Sequence, residues 1–381
     1  MLKPLRIGIV AGEVSGDILG ASLIAAIKRR YPDAIFEGIG GQRMIAQGCN
    51  SFVPMERLSV MGLVEVLGRL FELLRIRRQL RQYFIDNPPD LFIGIDAPDF
   101  TLALEKQLKA ADIKTVHYVS PQIWAWRQGR VKHIAQCADM ILALFPFEQE
   151  FYRRHQLGVK FVGHPLADEI PLETPKQPAR DCFSLSPQDR VLALLPGSRM
   201  SEIKKLAQTF LATAVCVQQK ILDCKILVAA ANPQIADAMS AELKAFSDLE
   251  SIQIIVGDAR NVMSAADALL VASGTVTLEA TLVNRPMVVA YKMAPLTYAI
   301  ATKLVKTDYI ALPNLLADKA LVPEFIQHEA TPEKLCDALV PLLASDAVYH
   351  RQTEAFLDIH RQLRQNASEK AAQAVLELLQ R

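Results

Sequence analysis

Short apolar segments alternate with amphipathic, helix-like segments along most of the chain. A short apolar run bounded by turn residues is typical of a strand buried on both faces of a sheet. In the first half, the pattern predicts strands near Ile7–Val10, Ile35–Ile39, Leu91–Ile95, Thr115–Val119, Ile141–Phe145 and Lys160–Val162. In the second half, it predicts strands near Val191–Leu195, Lys225–Ala229, Gln253–Val256, Ala268–Ala272 and Met287–Ala290. This alternation indicates an α/β fold with doubly wound parallel sheets.

The alternation breaks once, between Gly163 and Pro187, where prolines interrupt the pattern before a new strand begins at Val191. A chain of 381 residues is also too long for one hydrophobic core. We therefore expect two Rossmann-like domains facing each other across a cleft, residues 1–168 and 169–345. The pattern is helical beyond Thr331, and we expect residues from about 346 to 381 to pack back on the first domain or to reach a partner subunit.

Composition narrows the classes of function. The formal net charge is +1, so no nucleic-acid partner is expected. The six cysteines form no CxxC pair and the histidines form neither HxxxH nor HExxH, so we expect reduced thiols, no metal site and no cofactor. The chain runs directly into a strand, without a signal peptide, and lacks the ~20-residue apolar run of a membrane span. These features favour a cytoplasmic protein, soluble or peripheral to a membrane.

The turn after the strand at Leu269–Ala272 is a candidate anion site. Ser273 and Gly274 follow the strand, and a helix-compatible segment begins at Thr275. The N–H groups and dipole of a helix N-terminus attract phosphate, and a glycine lets phosphate approach the backbone closely. One such turn alone is more often an ordinary connection between a strand and a helix.

A second turn, Leu195–Arg199, repeats this arrangement and adds a positive charge. The guanidinium of Arg199 can bind a phosphate through two hydrogen bonds. Ser198 fits as a helix cap, and Glu202 could orient Arg199 or reach a ribose. Two such helix N-termini in one sheet favour a diphosphate site. The chain has no GKS or GKT sequence, which disfavours kinase or ATPase chemistry.

The loop after the first strand, AGEVSGD, suits sugar hydroxyls better than a dinucleotide. Gly12 and Gly16 have the spacing GxxxG rather than GxGxxG, and Glu13 and Asp17 would repel a pyrophosphate. With Ser15, these acids offer hydrogen-bonding groups at the carboxyl end of a parallel strand. A tight turn with a helix cap is the structural alternative.

Asp96 ends the apolar strand Leu91–Ile95, where open α/β sheets hold their ligands. Pro98 fixes the loop, which favours one positioned carboxylate acting as general base on a hydroxyl. A metal site shared with Asp99 is the weaker interpretation, because no histidine or third acid lies beside the pair. The alternative for Asp96 is a helix N-cap, and we expect Asp99 to be structural.

The segment Val119–Arg127 carries both tryptophans of the chain next to basic residues. Two indoles before a basic helix could line a cleft or pack in the core. If they line a cleft, Gln122, Trp126 and Arg127 are candidates for the acceptor side of the site.

The segment Met61–Phe84 predicts a helix with a wide apolar face. That face includes Met61, Val64, Leu67, Leu70, Phe71 and Leu74, and the segment also carries Arg69, Arg75, Arg77 and Arg78. A broad apolar face flanked by arginines suits contact with an anionic bilayer or with an acylated phosphate. A core helix with a solvated basic flank is the alternative.

Several long motifs, taken together, resemble one family. They are AGEVSGDILGA, VMGLVEVLGRL, GIDAPDF, HYVSPQIWAWR, LPGSR, ASGTVTLE and LVKTDYIALPNLLA, and the matches run from Ile7 to Leu316. On these motifs the chain resembles the lipid-A-disaccharide synthases, inverting glycosyltransferases with the GT-B fold. The resemblance implies transfer of 2,3-diacylglucosamine from UDP to 2,3-diacylglucosamine 1-phosphate (lipid X). The expected product is the β-1,6-linked disaccharide, made at the cytoplasmic face of the Gram-negative inner membrane.

The resemblance also implies roles for particular residues. UDP would lie on the second domain near Ser273–Thr275 and Arg199, with Glu279 on the ribose or uracil side and Asn314 contributing from the LPN turn. Asp96 would deprotonate the acceptor 6-hydroxyl without a metal. The helix at residues 61–84 would hold acyl chains near the anionic membrane surface, and a homodimer would form through the C-terminal segments.

Two other functions stay open from the sequence. A GT-B enzyme acting on a soluble UDP-sugar, such as an epimerase, would not need the arginine-flanked apolar helix. A non-catalytic nucleotide-sugar-binding protein would bind UDP and be indifferent to Asp96→Asn.

Overall fold

The computed structural model describes residues 4–58, 63–126, 128–294, 298, 302 and 307–380; at residues 63–67 and 125–126 it describes the backbone alone. The chain forms two compact units. Unit 1 comprises Met1–Asp168 together with Leu363–Arg381, and unit 2 comprises Glu169–Gln362.

Unit 1 is built on a parallel sheet of seven strands in the order β3-β2-β1-β4-β5-β6-β7. The strands are β1 (Arg6–Ala11), β2 (Ile35–Ile39), β3 (Cys49–Ser51), β4 (Leu91–Ile95), β5 (Thr115–Tyr118), β6 (Met140–Ala143) and β7 (Val159–Phe161). The helices are α1 (Val14–Lys28), α2 (Gln42–Ala46), α3 (Leu63–Asp86), α4 (Pro98–Lys109), α5 (Ile123–Trp126), α6 (Val131–Cys137), α7 (Pro146–Arg153) and α8 (Pro165–Glu169). Short 3-10 turns lie at Met55–Arg57 and Gln128–Arg130.

Unit 2 is built on a parallel sheet of six strands in the order β10-β9-β8-β11-β12-β13. The strands are β8 (Val191–Leu195), β9 (Lys225–Ala230), β10 (Ile252–Val256), β11 (Ala268–Ala272), β12 (Met287–Tyr291) and β13 (Glu324–Ile326). The helices are α9 (Lys176–Cys182), α10 (Met200–Lys220), α11 (Pro233–Leu243), α12 (Ala259–Ala265), α13 (Thr275–Leu282), α14 (Leu312–Ala317), α15 (Pro332–Ala344) and α16 (Asp346–Leu363). A 3-10 turn lies at Gln327–Glu329.

Both sheets have the strand order of the Rossmann fold, which reverses direction beside its first strand. Ligands of such sheets bind outside the carboxyl ends of the strands at this switch point. In unit 1 the switch lies between β1 and β4, where Ala11 pairs with Ile95. In unit 2 it lies between β8 and β11, where Leu195 pairs with Val271. The loops that follow these strands are therefore neighbours within each unit.

The central strands are apolar because helices cover both faces of each sheet. Strands β4, β8 and β11 are buried over their whole length. In unit 1, Phe84 of α3 and Phe92 of β4 are fully buried and meet edge to face, 5.5 Å between ring centres. In unit 2, Phe210 of α10 is fully buried. Burying one such side chain contributes roughly 1.5–3 kcal/mol.

The α/β fold class and all eleven strand positions predicted from the apolar pattern are confirmed. The pattern missed β3 and β13, which have three residues each and lie at the edges of their sheets. Neither strand is an apolar run: β3 reads CNS and β13 reads EFI, with no fully buried residue in β13.

The last helix, α17 (Ala367–Leu379), belongs to unit 1, whereas residues 346–362 belong to unit 2. Ala371, Ala372 and Val375 of α17 lie in the core of unit 1. The carboxylate of Asp168 accepts hydrogen bonds from the backbone N–H groups of Asn366 (2.9 Å) and Ala367 (2.6 Å) at the start of this helix.

Candidate functional site

Asp96 follows β4 at the switch point of unit 1. Its backbone N–H donates to the carbonyl of Tyr118 on β5 at 3.0 Å, which continues the sheet by one residue. Its Oδ1 accepts from the N–H of Ala97 at 2.9 Å, and its Oδ2 lies 3.4 Å from Oγ of Ser15. The side chain is half-buried. Asp96 therefore presents a carboxylate oxygen beside the first loop of the unit.

The backbone is in a left-handed conformation at the ends of two adjacent strands. The φ angles are 54° at Asp96 and 43° at Ala97 after β4, and 77° at Val119 after β5. Non-glycine residues in this region cost about 1–3 kcal/mol each and cluster at functional sites. Three such residues at one sheet edge mark that edge as a candidate site.

The loop after β1 packs tightly on the loop after β4. A Cβ atom at Gly12 would lie 2.4 Å from the Cβ of Ala97, so only glycine permits this approach. A Cβ at Gly16 would lie 3.3 Å from that of Ala11, which keeps α1 close to the sheet. Asp17 is buried and caps α2, because its carboxylate accepts from the N–H groups of Arg43 and Met44, both at 3.0 Å.

These contacts distinguish the residues of the AGEVSGD loop that are structural from those that could contact a ligand. Asp17 has the capping role that the sequence left as the alternative. Gly12 and Gly16 act through close packing. Ser15 is exposed and lies beside Asp96, and Glu13, the N-cap of α1, is half-buried, so these two side chains stay candidates for contact with a ligand.

A buried polar network lies at the carboxyl ends of β5 and β6. Glu148 is buried and accepts from the N–H groups of Leu144 (3.2 Å) and Phe145 (3.0 Å) at the start of α7. Its burial raises the pKa of the carboxyl to about 7. Ser120 shares a hydrogen bond of 3.0 Å with the hydroxyl of Tyr152. This network fixes the loop after β5.

His164, after β7, is half-buried. Burial lowers its pKa to about 4. Its Nδ1 accepts from the N–H of Leu166 at 3.2 Å, which caps α8, and its ring stacks on Phe145 at 5.6 Å.

The remaining acceptor-side candidates are only partly described. Gln122 is exposed. The side chain of Trp126 and the whole of Arg127 lie outside the described residues. Asp99 is 97 % exposed, and its Oδ1 lies 3.9 Å from Nη2 of Arg130.

Helix α3 carries exposed apolar side chains beside arginines. Phe71 is 86 % exposed, and Leu70 and Leu74 are exposed as well. Arg69, Arg75 and Arg78 are exposed and Arg77 is half-buried. Met61 and the side chains of Val64 and Leu67 lie outside the described residues. The opposite face, with Ile76, Leu80 and Phe84, packs into unit 1.

No helix within the described ranges is long and apolar enough to cross a membrane.

In unit 2, the N-terminus of α13 is open. The N-cap is Gly274, at φ 148°, and no side chain of the described residues caps it. Gly274 and Thr275 are exposed and Ser273 is half-buried. Apart from its chain neighbours, no atom of the described residues lies within 4 Å of a Cβ built on Gly274. The free N–H groups and the helix dipole make this turn a candidate site for an anion.

The N-terminus of α10 is closed by its own carboxylate. Oε2 of Glu202 accepts from the N–H groups of Ser198 (2.9 Å) and Arg199 (3.2 Å). The expectation that Ser198 caps the helix is wrong: Arg199 is the N-cap residue, and Glu202 supplies the capping oxygen. The guanidinium of Arg199 is 66 % exposed and lies 3.5 Å from Glu202. Glu202 thus occupies the N–H groups of Ser198 and Arg199, and the exposed guanidinium of Arg199 is the group that this turn offers a ligand.

Glu279 and Asn314 have partners inside unit 2. Oε1 of Glu279 accepts from Nε of Arg260 at 2.9 Å, and Nη1 of Arg260 also pairs with Glu169 at 2.6 Å. The side chain of Asn314 is buried and makes four hydrogen bonds, to the backbone at Leu321 and Val322 and to the side chain of Glu324.

The amide of Asn314 therefore has no group left for a ligand, and it fixes the LPN turn. The sequence did not identify Arg260, because its partners lie on two other helices.

Within the part of the chain that is described, no three histidine, cysteine or acidic side chains are grouped as a metal site would require. The expectation of a metal-independent site stays a prediction.

A family model described as lipid-A-disaccharide synthetase matches residues 7–377. The chain belongs to this family. A relative from Hahella chejuensis named lipid-A-disaccharide synthase is 52 % identical over 379 residues, 100 % of this chain and 96 % of that protein. A relative of the same name from Pseudoalteromonas translucida is 54 % identical over 380 residues, 99 % of this chain and 98 % of that protein. The resemblance seen in the motifs is confirmed, and this lipid-A-disaccharide synthetase family member is a glycosyltransferase.

Solved structures of other proteins have a similar fold. A UDP-GlcNAc 2-epimerase from Neisseria meningitidis bound to UDP-GlcNAc has a TM-score of 0.66 at 13 % identity, over 98 % of this chain and 100 % of that chain. A glycosyltransferase from Rickettsia africae has a TM-score of 0.60 at 12 % identity, over 100 % and 98 % of the two chains. At such identities the likeness concerns the fold alone, which is GT-B. The epimerase alternative is not favoured, since relatives about half identical over the full length are named as synthases.

Proposed function

We propose that this chain joins UDP-2,3-diacylglucosamine and lipid X into the β-1,6-linked lipid A disaccharide 1-phosphate and releases UDP. The observation that carries the proposal is the family match over residues 7–377. The geometry supports it, because one unit has a carboxylate at its switch point and the other has a cation and an open helix N-terminus there.

The diphosphate of UDP binds unit 2. The open N-terminus of α13 at Ser273–Thr275 supplies backbone N–H groups, and Arg199 supplies positive charge from the adjacent turn. Arg199 leaves its weak contact with Glu202, 3.5 Å, for the more highly charged phosphates. Glu202 keeps the turn in shape by capping α10.

The ribose or uracil lies toward Glu279, and Arg260 orients that side chain. Arg260 contacts one carboxylate oxygen of Glu279, which leaves the other oxygen available to a hydroxyl. Asn314 acts indirectly, by fixing the turn at the start of α14.

Asp96 is the general base in unit 1. The 6-hydroxyl of lipid X gives its proton to the carboxylate, its oxygen forms the new bond at C1 of the donor sugar, and the bond from C1 to UDP breaks. Negative charge grows on the departing diphosphate, and each well-placed donor there lowers the barrier by about 3–4 kcal/mol in comparable sites. Ser15 and Glu13 are the neighbouring groups for the acceptor sugar.

The direct test is to mix purified protein with UDP-2,3-diacylglucosamine and lipid X and to follow both products by mass spectrometry. We expect a disaccharide 1-phosphate and one UDP for each disaccharide. Release of UDP without disaccharide, or conversion of the UDP-sugar to an epimer, would contradict the proposal.

We further propose that α3 holds the protein at the cytoplasmic face of an anionic membrane. Exposed Leu70, Phe71 and Leu74 beside exposed arginines match an interfacial helix better than a core helix with a solvated flank. Phe71→Ser should reduce sedimentation with phosphatidylglycerol vesicles several-fold, while Leu222→Ser, an equally exposed apolar residue of unit 2, should leave it unchanged. Equal binding by both variants would exclude this surface.

We also propose that the C-terminal segments contribute to a homodimer. In the single chain, the buried face of α17 already packs in the core of unit 1 beside α1. That face can contact a second copy only if the two chains exchange their C-terminal helices. Analytical ultracentrifugation should give twice the chain mass of 42.2 kDa.

A further inference from the structure

The backbone turn at Asp96 and Ala97 has an unfavourable conformation that other contacts must hold in place. Asp96 and Ala97 have φ angles of 54° and 43°, two consecutive non-glycine residues in the left-handed region. Such residues persist only where the surrounding structure holds them, because each costs about 1–3 kcal/mol.

The side chain of Thr101 contacts this turn from the first turn of α4. Thr101 is fully buried. Its Oγ1 donates to the carbonyl oxygen of Asp96 at 2.7 Å and lies 3.0 Å from the carbonyl oxygen of Ala97. A hydroxyl has one proton, so the shorter contact is the principal bond. The hydroxyl thus reaches the peptide unit between the two strained residues.

The helix that carries Thr101 is fixed against the sheet by other contacts. A Cβ at Gly94 would lie 2.9 Å from the Cβ of Thr101 and 2.0 Å from Oε1 of Glu105, so α4 packs directly on the backbone of β4. Glu105 also pairs with Nδ1 of His117 on β5 at 2.8 Å, and both side chains are fully buried. Loss of the Thr101 hydroxyl should therefore release the turn without moving the helix.

We propose that Thr101 is a positioning residue for the reaction: its hydroxyl holds the Asp96–Ala97 turn so that the Asp96 carboxylate meets the acceptor hydroxyl. This inference rests on the proposed function, in which Asp96 is the base. Thr101 does not contact the substrate and acts only through the backbone of Asp96.

The test compares three variants of the 381-residue chain, which are Thr101→Val, Thr101→Ser and the control Thr213→Val. Thr101→Val keeps the shape of the side chain and removes its proton, and we expect kcat to fall about 10- to 100-fold, the scale of a misplaced catalytic group. KM for both substrates and the affinity for UDP should stay within about twofold, since the binding groups are untouched. Thr101→Ser restores the hydroxyl and should recover kcat to within about threefold of the wild type.

Thr213→Val is the matched control. Thr213 is also a fully buried threonine, and its hydroxyl donates to the carbonyl of Thr209 at 2.7 Å within α10 of unit 2. The Thr213→Val variant should have the wild-type kcat. If Thr101→Val fails to fold, the comparison of Thr101→Ala with Thr101→Ser carries the test, with the same expected difference in kcat.

Asp96→Asn, measured beside these variants, distinguishes the two possible failures. If Asp96→Asn is inactive while Thr101→Val has the wild-type kcat, the positioning role is wrong and the proposed base stands. A uniform rise in KM without a change in kcat would also overturn the positioning role. If Asp96→Asn retains full activity, the proposed base itself is wrong.

Discussion

The switch points of the two sheets share their topology and differ in charge. In unit 1, β1 and β4 end in loops that present Glu13, Ser15 and Asp96, and the backbone at Asp96 is strained. In unit 2, β8 and β11 end in turns that present Arg199 and the open N-terminus of α13. The same fold therefore presents a carboxylate and a hydroxyl at one edge, and a cation with an open helix N-terminus at the other, as the proposed function requires. The difference lies in the loop residues alone, as expected when function is carried by loops on a common scaffold.

The largest expected effect is on the acidic side of this comparison. Asp96→Asn should reduce turnover at least ~100-fold because the amide cannot accept the proton of the acceptor hydroxyl. Affinity for UDP, measured by calorimetry, should be nearly intact. Asp99→Asn is the control, since that neighbouring carboxylate is 97 % exposed. Equal losses in both variants would mean that the position of Asp96 at the strand end has no special role.

The second prediction concerns the basic side. Arg199→Ala should weaken UDP binding by about 1.5–3 kcal/mol, the scale of a charged hydrogen bond. Arg190→Ala changes an exposed arginine at the opposite end of β8 and should leave UDP binding unchanged. If both variants bind UDP like the wild type, the diphosphate lies elsewhere.

A smaller effect is expected at the open helix. Gly274→Ala adds a side chain where there is space but where φ is 148°, so the turn must change its backbone conformation. We expect UDP affinity to fall by about 1–2 kcal/mol. Gly129→Ala, a glycine of unit 1 with open space around it, is the control. Unchanged UDP affinity in Gly274→Ala would show that the diphosphate does not use this turn.

The smallest effect is on stability. The pKa of His164 is about 4 in the folded chain, below its ordinary value of 6.5, so the unfolded chain binds more protons between these pH values. The contribution of His164 to stability should therefore fall as pH decreases from 6.5 to 4. His164→Asn keeps a cap for α8 and should reduce this loss by about 1 kcal/mol after allowance for solvent.

Urea unfolding at pH 7 and pH 4.5 would measure this difference. His155→Asn, at an exposed histidine, should behave like the wild type. A wild-type pH dependence in His164→Asn would mean that this ring does not control the acid stability of the unit.

From the sequence we could predict the strands, which are buried apolar runs, and the loops that directly follow them. Strands β4, β8 and β11 beside the switch points are buried and apolar throughout, so the loops after them, with Asp96, Arg199 and Gly274, could be located without a structure. The edge strands β3 and β13 could not, because each has only three residues and neither is an apolar run.

The sequence did not reveal which polar side chains are already used inside the protein. From the sequence, Asp17 and Glu202 look like acids that bind a ligand. In the structure, both carboxylates accept hydrogen bonds from backbone N–H groups at helix starts. All four hydrogen bonds of the Asn314 side chain are made to residues of unit 2 near its own turn. Thr101 looks like an ordinary helical residue until its hydroxyl is seen against Asp96. Such roles depend on three-dimensional neighbours, and no residue spacing encodes them.

The attachment of α17 to unit 1 has a consequence for synthesis on the ribosome. Unit 2 ends at Gln362, so all of its residues have left the ribosomal tunnel before the final helix emerges. Asp168 and the apolar face of α1 must wait for that helix, although they are translated in the first half of the chain. Unit 1, which is translated before unit 2, therefore completes its core only after all of unit 2 has been made, and a nascent chain stalled before α17 would expose α1 to chaperones.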